Sequence, residues 1–244
     1  MAGLDKATQN SALKKAIYIL IFLLVIDLLF LLFHYFVHYY KSGYFASFTF
    51  TEISRRGNTY TRYYFSIAQD GGFGEMFQYF KFVMAGILLL YLAKTMRSKF
   101  LLLWAALSFF LFIDDWLGIH EMIGGEVIGQ SLKSYGKNTY ANGQLVYGIL
   151  FTVIVCIVGF IFWQRSSPQV KSLSLRLFLS LGVLWTSAVL FDHLRGIIRM
   201  HYYVGLVLEE GGEHFAASAF LFFCCLYVFK QKQSINQEAA IVKN

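Results

Sequence analysis

The sequence predicts an all-α, polytopic membrane protein of about six transmembrane helices. Three observations carry that expectation: hydrophobic residues are 57% of the chain against 14% charged, six long apolar stretches recur, and basic residues gather in alternate connections between them. A soluble domain carries roughly 25% charged residues, so the net charge of +7 is read as a topology signal and not as a nucleic-acid footprint. Cys156, Cys224 and Cys225 all fall inside apolar stretches, which supports neither a disulfide framework nor a thiolate metal motif.

The first stretch, Ala16 to Val37, follows Lys14-Lys15. It is longer than the roughly 7 to 15 residues of a signal-peptide core and is expected to be a membrane helix. Residues 39–75 then form a long loop, expected to cap the site. Between Tyr44 and Ile67 aromatic and polar residues roughly alternate around Arg55-Arg56-Gly57-Asn58, the pattern of a β-hairpin with a turn. The alternative is an irregular aromatic loop at the membrane interface. Gly71-Gly72-Phe73-Gly74 lacks the lysine and hydroxyl of a phosphate loop and is read as a hinge.

The remaining stretches run from Met76 to Ala93, Phe100 to Leu117, Leu145 to Trp163, Leu177 to Leu194 and Leu206 to Phe229, each near the roughly 20 residues that cross a bilayer. Residues 1–232 are expected to form one transmembrane domain, with 233–244 a disordered cytoplasmic tail. Lys14-Lys15, Lys94 to Lys99, Arg165 to Arg176 and Lys230 to Lys232 alternate so that all share one side, which the positive-inside rule makes cytoplasmic together with both termini. The expected location is a cell membrane, read as a bacterial inner membrane, with the acidic residues and histidines facing outward.

Those outward residues are the functional clue. Three apolar stretches begin or end in Asp114-Asp115, Asp192-His193 and Glu209-Glu210-Gly211-Gly212-Glu213-His214. Only about fourteen or fifteen apolar residues separate these groups from the far end of their helices, roughly 22 Å of a hydrocarbon core near 30 Å. Either the bilayer thins, or the helices continue through their polar residues and hold them below the surface, where they need partners. Helical spacing groups Asp114, Gly118 and Glu121 on one line, Asp192, Arg195 and Arg199 on another, and Asp27, His34 and His38 on a stripe of the first helix. Gly211-Gly212 implies close helix approach, room for a ligand, or a break before the span.

Carboxylates outnumber the nearby cations Arg195, Arg199 and Lys81, so a divalent metal, shared protons or both would balance them. Mixed carboxylate and imidazole donors suit zinc, iron or manganese. The expected pool of metal ligands is His120, Glu121, Asp192, His193, Glu210 and His214, with Asp115 and Glu213 as acid and base. Asp27, Asp114, Arg195 and Arg199 complete the site. A structural network of ion pairs is the competing reading, as is a metal-free proton or substrate site.

Histidine boxes of membrane desaturases, the late-helix lysine of retinal proteins and the Gly-x-Ser-Gly of rhomboid proteases are all missing. The leading functional expectation is a metal-dependent enzyme acting on a lipidic or amphipathic substrate. The alternatives are an ion- or proton-coupled transporter using Asp27, His34 and His38, and a non-catalytic subunit or assembly factor of a membrane complex. Membrane lipids and membrane-complex partners are the expected associates, and nucleic acid is not.

Overall fold

The computed structural model describes residues 2–40, 49–53, 59–63, 67, 72–132, 139–191 and 202–243. Six of its helices are long and apolar enough to cross a membrane. In chain order these are α1 (Ala2–Tyr40), α2 (Phe73–Thr95), α3 (Lys99–Leu117), α5 (Thr139–Gln164), α6 (Pro168–Trp185) and α8 (Gly212–Lys243). Shorter pieces extend or join them: the π-helical turns π1 (Glu121–Ile128), π2 (Thr186–Phe191) and π3 (Val207–Gly211), and the helical turns α4 (Gly129–Ser131) and α7 (Tyr202–Leu206). Helices α1 and α8 meet at Asp27 and Ser218, and the face of the bundle where the α1 span begins and α8 ends is the terminal face.

Strands β1 (Thr49–Ile53) and β2 (Thr59–Tyr63) pair antiparallel with Thr51 opposite Thr61. Residues 54–58, where the sequence suggests the turn, lie outside the described residues.

Helix α8 is the central post, packed against α1, α2 and α6, while α2 also packs on α3. Its span is the most enclosed of the six, at 61% buried against 6% for α5, so α8 is where polar groups can be hidden from lipid. Leu13, Tyr18, Phe160 and Leu179 face outward, as helices do where the solvent is hydrocarbon. The apolar core of the terminal half is built by Leu23, Leu89, Leu92, Trp104, Leu177, Leu221 and Cys224, all buried.

Two boundaries differ from the sequence reading. The fifth span runs from Pro168 to Val189 and begins nine residues before Leu177. Ser167 caps it by accepting from the Val170 N–H at 3.4 Å, and Pro168 occupies the first turn, the position where a missing N–H costs nothing. Lys171 and Arg176 therefore belong to the helix and not to the loop before it. Helix α8 continues to Lys243, so residues 233–243 are helical where the sequence alone predicts a disordered tail over 233–244. Extending an existing helix needs no new nucleus, and Gln237-Glu238-Ala239-Ala240 are good helix formers.

Candidate functional site

Asp27, Lys81, His214 and Ser218 converge from α1, α2 and α8, and all four are buried. Lys81 Nζ donates to Asp27 Oδ1 at 2.7 Å, to the His214 carbonyl at 3.1 Å and to Ser218 Oγ at 3.2 Å. His214 Nδ1 lies 2.9 Å from Asp27 Oδ1 and 3.3 Å from Lys81 Nζ. Ser218 Oγ donates to Asp27 Oδ2 at 2.6 Å. Helical geometry explains the convergence on α8, because His214 and Ser218 are four residues apart and share a face. Phe77 covers the ammonium at 4.7 Å from its ring centroid, and Phe30 lies against the imidazole.

The hydrogen inventory fixes how the cluster is wired. An ammonium has three N–H donors, yet four acceptors surround Lys81. The longest contact, to His214 Nδ1, is the surplus one, so Nδ1 carries a proton and donates to Asp27. In the neutral imidazole Nε2 is then the lone-pair nitrogen, and it faces Gly74, where a Cβ would stand 3.7 Å away.

A second set of polar groups continues from this cluster away from the terminal face. Gln78, one turn before Lys81 on α2, donates to Glu213 at 3.2 Å. The charged neighbours of Glu213 are Asp115, Glu209 and His120. Asp114 accepts from the Tyr147 hydroxyl at 3.0 Å and lies 3.3 Å from His120 Nδ1. Burial works to lower the His120 pKa, but the hydrogen bond and charge of Asp114, with the charges of Asp115 and Glu121, raise it above its ordinary value. Gly118 closes α3 immediately after these acids in a left-handed conformation, φ 60°, with its N–H on the Asp114 and Asp115 carbonyls. Helix α3 therefore runs through Asp114 and Asp115 to Leu117, as the span-length argument requires of one of its two options.

The π1 segment is seated on α5 by the close approach of Gly124 and Gly129 to Gly143, where any side-chain carbon would overlap backbone. Gly212 meets the Ser187 side chain of π2 in the same way, so close approach is the reading of Gly211-Gly212 that the packing supports. Two of the π-helical turns lie at span ends, π2 closing the fifth and π3 near the start of the sixth, and π1 follows the third. Such turns concentrate at functional sites because they re-aim side chains within a helix.

The expected metal pool is divided. His214 belongs to the buried cluster, where a neighbouring ammonium opposes a second cation. His120 pairs with Asp114, Glu121 is exposed on π1, and Glu210 is partly exposed on π3. Asp192, His193, Arg195 and Arg199 lie outside the described residues. Among the described residues no three His, Cys, Asp or Glu side chains group as metal ligands would. Of the first-helix stripe, Asp27 and His34 are buried, while the His38 side chain lies outside those described.

Lys81 and Ser218 were the residues hardest to assign from sequence. Lys81 is the sole basic residue between Met76 and Ala93, which is the same intramembrane-charge signal that marks Asp27. Ser218 is detectable only once His214 is known to face inward.

The chain belongs to the family described as Domain of unknown function (DUF8692), whose model matches residues 16–228. That interval holds the second to fifth spans whole, most of the first and sixth, and every residue of both polar sets. No curated protein and no solved structure matches the chain.

Proposed function

For this member of the DUF8692 family, we propose a proton-coupled membrane carrier whose proton-binding centre is Asp27, His214, Lys81 and Ser218. The single observation that carries the reading is the buried Asp27 carboxylate shared by an ammonium, an imidazole and a hydroxyl at 2.6 to 2.9 Å. Intramembrane ionisable groups are expensive and are kept where ions or protons are handled.

The chemistry is a histidine relay. A proton arriving at His214 Nε2 makes the imidazolium; the Nδ1 proton then passes to Asp27, and Lys81 and Ser218 reorient among the acceptors they already touch. Glu213, Asp115 and His120 supply the approach to this centre, which makes Glu213 and Asp115 the acid and base of the path. Below the centre the core is apolar, so access is one-sided, as in one state of an alternating carrier. The basic terminal face is assigned to the cytoplasm, which turns the approach outward across the cell membrane.

Proteoliposomes containing a trapped pH dye test the proposal under an imposed potassium diffusion potential. The wild-type chain is expected to admit protons faster than empty liposomes, and Asp27→Asn and His214→Gln to return the rate to the empty-liposome level. Equal rates for wild type and Asp27→Asn, or for wild type and empty liposomes, overturn it.

A further inference from the structure

Near the terminal face, Arg176 of α6 and Lys230 of α8 stand over one aromatic ring. The Arg176 guanidinium lies 5.5 Å from the Tyr227 ring centroid and 5.7 Å from that of Phe223, and Lys230 Nζ lies 5.4 Å from Tyr227. The Tyr227 hydroxyl donates to Ser172 Oγ at 2.8 Å and fixes the ring between the two helices. Arg176 is eight residues into the fifth span, about 12 Å along its axis. No described carboxylate lies within ion-pair distance of either cation.

Two cations on one ring repel each other, and the aromatic faces balance only part of their charge. A guanidinium inside a span also needs hydrogen-bond acceptors that hydrocarbon does not supply. Both needs are met by a phosphate anion lying between α6 and α8, since a guanidinium binds phosphate with two parallel N–H donors. The depth selects the source: a phospholipid headgroup reaches this level with its acyl chains along the exposed Leu175 and Leu179.

We infer that Arg176 and Lys230, seated on Tyr227, form a binding site for the phosphate of an anionic phospholipid in the leaflet at the terminal face. This site is separate from the proton-binding centre and does not depend on it. Basic pockets between transmembrane helices bind anionic headgroups by the same charge complementarity.

The full chain in mixed micelles provides the test, read as the midpoint of thermal unfolding. Phosphatidylglycerol is expected to raise the midpoint, phosphatidylcholine at the same mole fraction to leave it nearly unchanged, and inorganic phosphate to have no comparable effect. Arg176→Gln should weaken the apparent phosphatidylglycerol affinity about fivefold, Arg176→Lys less, and Lys15→Gln, a cation of α1 that does not share the Tyr227 ring, not at all. If Arg176→Gln does not fold, Lys230→Gln gives the same reading from the other helix. Equal stabilisation by phosphatidylcholine, an equal shift with inorganic phosphate, or equal weakening by Lys15→Gln overturns the proposal.

Discussion

The buried centre around Asp27 and the outer group around Asp114 use similar residue types and solve different problems. In the centre, Asp27, Lys81 and Ser218 are wired to one another from three helices, and Lys81 and Ser218 are fully buried. In the outer group, Asp114 is shared by His120 and Tyr147, and His120 is 36% exposed at its side chain. The centre is self-contained because every donor has an acceptor within it, and removing one leaves a charge in a low-dielectric interior. The outer group can exchange partners, because water reaches it and its acids outnumber its bases. A relay needs both: a fixed acceptor and an adaptable approach.

The largest expected effect breaks the centre. Lys81→Met removes the cation and leaves Asp27 charged and buried, which should destabilise the chain by about 3 kcal/mol. Asp27→Leu combined with Lys81→Met should recover most of that loss, because an apolar pair of similar volume needs no compensation. Stability is read by unfolding in increasing denaturing detergent. A double variant no more stable than Lys81→Met would show that the ion pair does not govern the packing of α1 on α2 and α8. In the outer group, Asp114→Asn should change stability far less, and that contrast is the measurable form of the comparison.

The same contrast governs what could be read from the residues. Six spans, their order and the polar ends of α3 and α8 follow from apolar length, because a bilayer imposes one length on every crossing. The fifth boundary did not follow, because Arg176 reads as a loop residue until Ser167 and Pro168 are recognised as a helix start. Asp27 stood out as an intramembrane acid, and Lys81 carried the same signal. Their pairing depends on how α1, α2 and α8 rotate about their axes, and no pattern within one helix contains that information. Regular helical spacing places Glu210, Glu213 and His214 within one arc. A π-helical turn at Val207–Gly211 holds Glu210 and shifts it relative to the histidine that follows, and periodicity at 3.6 residues cannot anticipate that.

A middle-sized effect sharpens the comparison at the junction of the two regions. Gly212 opens α8 two residues before His214, and its Cα faces Ser187 with no room for a methyl group. Gly212→Ala should destabilise the chain by about 1 to 3 kcal/mol through overpacking, even though alanine is the better helix former by about 1 kcal/mol. Adding Ser187→Gly should restore most of the loss by emptying the contested space. If Gly212→Ala is neutral or stabilising, helix propensity outweighs the contact, and α6 and α8 are not locked at this point.

The smallest effect belongs to His120 and is visible only as a dependence on pH. Its pKa is raised in the folded chain, with Asp114 the largest favourable influence against the opposing effect of burial. A raised folded value means that the imidazolium stabilises the fold fully below the unfolded value, about 6.5. That contribution is lost as pH rises through the higher folded value. Solvent screening at a side chain 36% exposed limits the contribution to less than about 1 kcal/mol. The stability difference between wild type and His120→Gln should therefore be largest near pH 5.5 and shrink toward pH 9. In an Asp114→Asn background the difference should be small throughout, since the main partner of the imidazolium is gone. A difference that stays constant from pH 5.5 to 9 would show that His120 acts by packing alone. The outer group would then not respond to pH through His120, and the proposed delivery of protons would need another residue.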